Sequence, residues 1–510
     1  MSARVWSDRQ HAVFEDVEHG TGHTMVDAVA GSGKTTTILE ALRYVPAGAT
    51  TLFVAFNKSI VRELQARVVC QPCAGTGYLP PPAGSAARET CTGCCGTGKT
   101  TDAEIATLHS LGLRAVSRAL NRPRIDEDKL RDIAAAYFDL ENRPEKREWS
   151  ASVCKAVSLC KGCLARTDEE MLDVVDQYGL CPPEREEERE PFIRDVRALI
   201  NLGMDDEGRI DFDDMIFLPH ALQLSVPQYD RVFIDETQDL NAAQIALVLK
   251  AVKPGGRIVA VGDPRQAIYQ FRGAAADAFE KVQKALDAKV LPLSVSYRCA
   301  RSVIAEAQSI VPHIEAAPDA EEGSVTRGTE EQMLAEARPG DFILSRVNAP
   351  LLKLCLAILR AGRPAAIQGR DVGAKLAGVV RRAKTESVDE MLRYTDRWVA
   401  LEVARLSRKG KDTTGIADLG ECLAALSEGE TEVAAVLAKI GRLFADGDEK
   451  SRVTLSSTHK AKGMERDRVW MLAWTYCRNP KNPQEELNLK YVAITRARKA
   501  LILVQQKKTA

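Results

Sequence analysis

The chain has 510 residues, too many for one hydrophobic core, so two to four domains are expected. Its composition is that of a globular protein, 45% hydrophobic and 28% charged, with no apolar run of about 18 residues and no charged-then-apolar N-terminal leader. A membrane span and a secretion signal are not expected, the cytoplasm is the expected compartment, and a formal net charge of −1 confines any nucleic-acid surface to a local groove.

Taken in chain order, "TMVDAVA" (24–30), "TLFVAF" (51–56), "RVFIDE" (231–236) and "RIVAVGD" (257–263) are short apolar runs bounded by turn or polar residues. That is the pattern of buried parallel strands. Helical stretches at 35–44 and 242–251 follow two of them, which predicts an α/β sheet. A second set, "DFILSR" (341–346), "RVTLSS" (452–457), "RVWMLAW" (468–474) and "ALILVQQ" (500–506), predicts another α/β domain. Three segments break the alternation. Residues 67–100 are rich in Cys, Gly and Pro and read as a small insert. Residues 120–205 read as a charged helical insert, whose acidic run at 184–190 is a solvated helix face or linker. Residues 372–450 read as a small helical insert. The first α/β domain is then expected over 1–66, 101–119 and 206–285, and the second over 286–371 and 451–510.

Two stretches offer Gly-Lys-Thr. "CTGCCGTGKT" (91–100) contains a literal G-x-x-x-x-G-K-T, whereas "AVAGSGKTTT" (28–37) lacks the leading glycine. A phosphate-binding loop needs a buried strand feeding a glycine turn that opens a helix, so that backbone N–H groups and the helix N-terminus face phosphate. Only the earlier stretch has that context. Its loop, Ala30, Gly31, Ser32, Gly33, Lys34, Thr35 and Thr36, is the expected nucleoside-triphosphate cradle, since such a loop alone does not name the base. Lys34 would meet the β- and γ-phosphates and the Thr35 hydroxyl would bind Mg²⁺. "VFIDETQD" supplies the other half: Asp235 at a strand's carboxyl end to hold Mg²⁺, and Glu236 as general base for the attacking water.

These residues resemble a family. "DETQD" with "VGDPRQAIYQFRGA" (261–274) is similar to motifs II and III of the UvrD/Rep-type superfamily 1 DNA helicases. "WSDRQHAVFE" resembles the Q motif, and "FVAFNKSIVREL" resembles motif Ia in the form of the F-box DNA helicase branch. "IATLHSLGLRAV" resembles motif Ib, "LSVSYRCA" motif IV, "VTLSSTHKAKGMERDRVWML" motif V and "LNLKYVAITRARKALIL" motif VI. The resemblance implies two RecA-like domains with the nucleotide between them. It implies that Gln10 reads adenine, Gln266 senses the γ-phosphate and Tyr297 stacks on the base. Arg298 and Arg496 would be catalytic, Arg496 as the arginine finger, and Glu465 would meet the ribose. For single-stranded DNA it implies Phe56 and Phe271 as stacking platforms, with Lys58, His109, Arg272 and His459 at the backbone. The family usually carries Trp at the Phe271 position, which weakens stacking there. Travel in the 3′→5′ sense is implied by the family alone.

Nine of the thirteen cysteines fall between Cys70 and Cys181. In a reducing compartment such clustering points to metal sooner than to disulfides. "CQPCAGTG" and "CTGCCGTG" are two copies of C-x-x-C-x-G-x-G, resembling the zinc-binding repeats of DnaJ co-chaperones, so Cys70, Cys73, Cys91 and Cys94 are the expected zinc ligands. Lys99 is then a bystander at the knuckle's exit, or a phosphate-backbone contact if the knuckle lies against DNA. Cys154, Cys160, Cys163 and Cys181 could hold a second zinc or an iron–sulfur cluster, or be buried core residues on helices.

The sequence therefore predicts a monomeric, ATP- and Mg²⁺-dependent DNA helicase with a Zn²⁺ knuckle. Single-stranded and tailed duplex DNA would be its partners, alongside replication or repair proteins. Two alternatives stand beside it: a translocase that strips proteins from DNA without unwinding, and a zinc-dependent interaction module on an inactive ATPase core.

Overall fold

The computed structural model describes residues 5–55, 58–69, 73, 76, 78, 90–91, 99, 101–178, 180, 186–268, 278–368, 370–408, 413–444, 451–476 and 482–506. Phe56, Cys70, Cys94, Cys181, Phe271 and Arg272 lie outside the described residues, as does the side chain of Lys58. The described chain divides into two compact units: 5–28, 33–180 and 186–293 in the first, 29–32 and 294–506 in the second.

The first unit is built on six parallel strands: β1 (Thr24–Ala28), β2 (Thr51–Ala55), β3 (Glu104–Thr107), β4 (Tyr229–Ile234), β5 (Val252–Gly262) and β6 (Lys289–Leu293), in the order β3-β2-β4-β5-β1-β6. Successive side chains point to opposite faces, and both faces are covered. In β4, Val232 and Ile234 join a cluster with Leu111 and Leu247, while Phe233 between them joins one with Phe14 and Ile38. A strand covered on both faces has few solvated positions, which is why these strands read as largely hydrophobic runs.

The helices of this unit are α1 (Asp8–His19), α2 (Lys34–Ala41), α3 (Lys58–Arg67), α4 (Leu108–Ala119), α5 (Lys129–Tyr137), α6 (Arg147–Cys163), α7 (Asp168–Gln177), α8 (Glu186–Asp205), α9 (Phe212–Ala221), α10 (Ala242–Lys250) and α11 (Ala278–Leu286). The charged insert expected at 120–205 forms α5 to α8, with the acidic run leading into the start of α8. These helices share a core with α4 and α9, around Val153, Val157, Val174, Phe192 and Val196 together with Val116, Met215 and Phe217. A two-residue parallel pairing, Arg124 with Arg209 and Ile125 with Ile210, closes the insert's neck. The unit runs to Leu293, beyond the expected boundary at 285, because "KVLPL" adds to β1 as an edge strand. Pro292 suggests a break in sequence, yet an edge strand tolerates a residue that cannot donate to a ladder.

The second unit has another six-stranded parallel sheet: β7 (Ser324–Gly328), β8 (Phe342–Ser345), β9 (Ala365–Ile367), β10 (Val453–Ser457), β11 (Arg466–Leu472) and β12 (Ala497–Val504), in the order β7-β12-β11-β8-β10-β9. Helices Arg370–Arg382, Val388–Arg408, Thr414–Ser427 and Val433–Leu443 occupy the expected small insert. Leu376, Val380, Leu423, Val436 and Ile440 pack them into one core with Ile343, Val453 and Leu455 of the sheet. Two parallel sheets flanked by helices are the two RecA-like domains that the sequence predicts. Among the described residues, no helix is long and apolar enough to cross a membrane.

Candidate active site

In open α/β sheets, ligands gather outside the carboxyl ends of the strands, and there the first unit places its polar residues. Strand β1 is followed by the glycine turn, and Gly33, at φ +78°, caps helix α2 with Lys34 as its first residue. Gly31 has φ +77° and is doubly constrained, because a Cβ there would lie 2.5 Å from Arg298 Cβ and 2.6 Å from Ser296 Oγ within the second unit. Ser32 Oγ is buried without a hydrogen-bond partner among the described residues, the state of a donor awaiting an acceptor such as phosphate. Lys99 has a different setting. It pairs with Val69 in an isolated antiparallel bridge, so it is extended chain and not the first turn of a helix.

Strand β4 delivers the acids. Thr35 Oγ1 donates to Asp235 Oδ2 at 2.9 Å, and the Glu236 N–H donates to Asp235 Oδ1 at 2.9 Å. Lys34 Nζ lies 4.0 Å from Glu236 Oε1. Burial, and then the neighbouring Glu236, push the Asp235 carboxyl up to about 6, against the pull of Lys34 and Thr35. A hydroxyl and a buried carboxylate at hydrogen-bond distance form a hard-oxygen donor set that fits Mg²⁺. Glu236 itself sits at φ 54°, an uncommon conformation for a residue with a side chain.

Sequence reasoning missed two members of this cluster. Gln238 donates through Nε2 to Glu236 Oε2 and accepts the Asp263 N–H at 3.0 Å, tying the end of β4 to the end of β5. Asp263 is buried and accepts from Gln266 Nε2 at 2.8 Å. Burial raises its carboxyl while Lys34 and Gln266 pull it down. The available signal was the acid that directly follows the apolar run "RIVAVG". Gln10 belongs to a capping box at the start of α1, and its Nε2 donates to Thr37 Oγ1 of α2 at 2.9 Å.

In the second unit, Tyr297 is 43% exposed and its N–H donates to Gly31 O at 2.9 Å. The Ala30 N–H donates to the buried Tyr491 hydroxyl at 2.9 Å. Arg298 is ion-paired with Glu465, which also lies 3.7 Å from Arg498. Arg496 is buried, donating to Val492 O at 2.9 Å, Met464 O at 3.1 Å and Thr495 Oγ1 at 3.2 Å. Burial, and then Arg298, lower it to about 10, so it stays cationic at neutral pH.

The UvrD/REP helicase N-terminal domain pattern matches residues 9–287, more than half of the chain. The chain belongs to the UvrD/REP helicase family. The UvrD-like helicase C-terminal domain pattern matches residues 409–508. Among relatives, the chain is 25% identical over 321 residues to the ATP-dependent DNA helicase PcrA of Bacillus subtilis, covering 58% of this chain and 38% of that one. It is 26% identical over 348 residues to the RecBCD enzyme subunit RecB of Mycobacterium tuberculosis, covering 56% and 29%. F-box DNA helicase 1 of Gallus gallus is 22% identical over 564 residues, covering 98% of this chain and 49% of the relative. The chain thus spans half or less of each of these helicases.

The UvrD-like resemblance also named DNA contacts, of which the structure describes two with their side chains. His109 lies in the first turn of α4, and His459 in the short helix Thr458–Ala461 that follows β10. Phe212 was not foreseen. It is the first residue of α9, 40% exposed, and its ring meets His109 edge-on at 6.0 Å between centroids. Only the fold brings 212 to 109, because the two lie on different helices.

Of the knuckle cysteines, Cys73 and Cys91 are described, and both are buried. Antiparallel bridges join Tyr78 to Thr90 and Val69 to Lys99, and the Thr76 N–H closes a turn on Cys73 O at 2.9 Å. Cys154, Cys160 and Cys163 lie on α6, where Cys160 is fully buried in the insert core and the other two pack against it. Burial, and then the neighbouring Cys163, push the Cys160 thiol up to about 12, so it is protonated at neutral pH in this setting. Among the described residues, no group of three or more His, Cys, Asp or Glu side chains could hold a metal ion.

Proposed function

We propose that this protein is an ATP-driven motor on single-stranded DNA that travels 3′→5′ and separates strands. The observation that carries this reading is the meeting of Lys34, Thr35, Asp235 and Glu236 at the carboxyl ends of β1 and β4. In this reading Lys34 holds the β- and γ-phosphates, Thr35 and Asp235 hold the metal, and Glu236 takes the proton of the attacking water. Bound Mg²⁺ supplies charge neutralisation at the phosphate oxygens. Gln266 senses the γ-phosphate through its bond to Asp263, Gln10 reads adenine, Tyr297 stacks on it, and Glu465 meets the ribose. Arg298 and Arg496 offset the charge that develops on the departing phosphoryl group. Phe212, His109 and His459, with Lys58, Phe56, Phe271 and Arg272, contact the strand.

A second reading is a translocase that displaces bound proteins without unwinding, favoured by the small insert of the second unit, four helices among the described residues. Strand displacement on 3′- and 5′-tailed duplexes separates the two. ATP-dependent release from the 3′-tailed duplex alone is the expected result. Single-strand-stimulated ATP hydrolysis with no release from either substrate would select the translocase. Absence of ATP hydrolysis would remove both.

The knuckle is proposed to bind one zinc through Cys70, Cys73, Cys91 and Cys94. Two buried cysteines, one from each repeat, and the bridge joining Tyr78 to Thr90 between them support this reading. Metal analysis should find about one equivalent of zinc, lost in Cys91→Ser while ATP hydrolysis persists. Zinc retained in that variant would refute the assignment.

A further inference from the structure

Behind the exposed Phe212 lies a buried group of opposite charges that the nucleotide site does not use. Asp214 is fully buried, and each of its carboxylate oxygens is taken by a lysine. Lys129 Nζ donates to Oδ2 at 2.8 Å and Lys161 Nζ donates to Oδ1 at 2.7 Å. The two lysines are 1% and 2% exposed, which is rare for this residue type. Lys129 also donates to Gly203 O at 2.7 Å and Asp206 O at 3.4 Å, and Lys161 lies 3.5 Å from Asp211 Oδ2. Helices α5 and α6, the end of α8 and the start of α9 therefore converge on one carboxylate. Burial pushes Asp214 up, but Lys161 and Lys129 outweigh it and hold the carboxyl below its ordinary value.

The same two aspartates shape the first turn of α9. Asp211 is its N-cap and accepts the Asp214 N–H at 2.7 Å, and the Asp211 N–H donates back to Asp214 Oδ2 at 3.2 Å. Phe212 lies inside this box, against His109. Helix α4 is held close to α9, because Gly112 approaches so tightly that a Cβ there would lie 1.8 Å from Met215 O. A buried ion pair is seldom the most stabilising way to fill a core, and apolar residues of similar volume often serve as well or better. Its distinctive property is direction. Both lysines reach the carboxylate oxygens at only one rotation of α9, whereas an apolar contact tolerates several.

We propose that Lys129, Lys161 and Asp214 are positioning residues for single-stranded DNA, fixing the rotation of α9 so that Phe212 stands beside His109. This inference rests on the reading of that edge as a DNA contact. The helical insert thereby becomes part of the strand-binding apparatus without touching the strand.

The test uses the full chain and an oligothymidylate. Lys161→Met should raise the oligonucleotide concentration for half-maximal ATPase stimulation about ten-fold, leaving the maximal rate and the KM for ATP unchanged. Lys161→Arg should restore the parental value. Because a half-emptied ion cluster can unfold the insert, a second variant replaces all three charges, Lys129→Met, Lys161→Met and Asp214→Leu. It should melt at or above the parental temperature and still need the higher DNA concentration. A parental DNA requirement in that triple variant would overturn the proposal, as would a fall in maximal rate parallel to a fall in melting temperature. Phe212→Ala serves as the reference. If it leaves DNA stimulation unaltered, the DNA reading of this edge fails and the proposal with it. If it weakens stimulation while the triple variant does not, the positioning proposal alone fails.

Discussion

Replacing Lys34 by Ala is expected to lower single-strand-stimulated ATP hydrolysis by about two to three orders of magnitude, the size of effect seen when one charge-stabilising group is lost from a water-poor site. Lys99→Ala should leave it unchanged. The Lys34 side chain is 11% exposed and is the cation that opposes the burial of both Asp235 and Asp263. Its removal takes away a phosphate ligand and also lets both carboxyls rise further, so the metal must displace a proton more often at neutral pH. Steady-state phosphate release with and without an oligonucleotide measures this directly. Loss of hydrolysis in Lys99→Ala with retention in Lys34→Ala would reverse the assignment of the phosphate loop, despite the literal pattern at 93–100.

Asp235→Asn is expected to stabilise the nucleotide-free protein while reducing hydrolysis about 10²- to 10³-fold. The carboxyl titrates at about 6 in the folded chain against an ordinary 3.8, because burial, and then Glu236, disfavour its charge. A folded-state value above the unfolded one means that the folded state binds the extra proton. This group's contribution to stability therefore falls as pH rises from about 4 to about 6, and the penalty is fully present at pH above that window. Two pKa units correspond to roughly 3 kcal/mol. Asparagine removes that penalty, so the variant should melt a few degrees above the parent near neutral pH, with the gap narrowing under acid conditions. Saturating Mg²⁺ and ATP should close it from the other side, by stabilising only the parent. Thermal melts at two pH values, with and without Mg²⁺ and ATP, test the claim. A variant that melts lower than the parent at neutral pH would show that the carboxylate is a net stabiliser.

Most of the sheet architecture was legible, and the omissions share a cause. The eight strands expected from apolar runs are the interior strands of the two sheets, β1, β2, β4, β5, β8, β10, β11 and β12. The four that were not foreseen, β3, β6, β7 and β9, are the four edges. An interior strand is enclosed on both faces and by both neighbours, and its composition shows it. The edges give weaker signals: β7 keeps only Gly328 buried, β6 carries Pro292, and β3 and β9 are four and three residues long. Edge position is a property of the assembled sheet and leaves a weak trace in local sequence.

The site divides in a similar way. Asp235 and Glu236 directly follow a strand, and Lys34 and Thr35 open the helix after a strand and its glycine turn, so the chain itself announces them. Gln238, Asp263 and Phe212 acquire meaning only when β4 meets β5, or α9 meets α4. Lys129 and Lys161 read as surface lysines of a charged insert until Asp214 is placed between them. The α6 cysteines were open to metal or core readings, and a helix face cannot be assigned until its neighbours are known.

The pinched necks of the two inserts in the first unit bear on how the chain assembles. Val69 and Lys99 pair across the cysteine-rich segment, and Arg124–Ile125 pairs with Arg209–Ile210 across the helical one. Seen from the sheet, each insert behaves as a short closed loop, whatever its length. Closing each neck costs loop entropy that grows only slowly with the insert's length, so β2 and β3, and α4 and α9, are joined at a similar cost for short and long inserts. Each insert can thus change in size or content at little cost to strand pairing, so a protein of this architecture can acquire new attachments while its two sheets stay as they are.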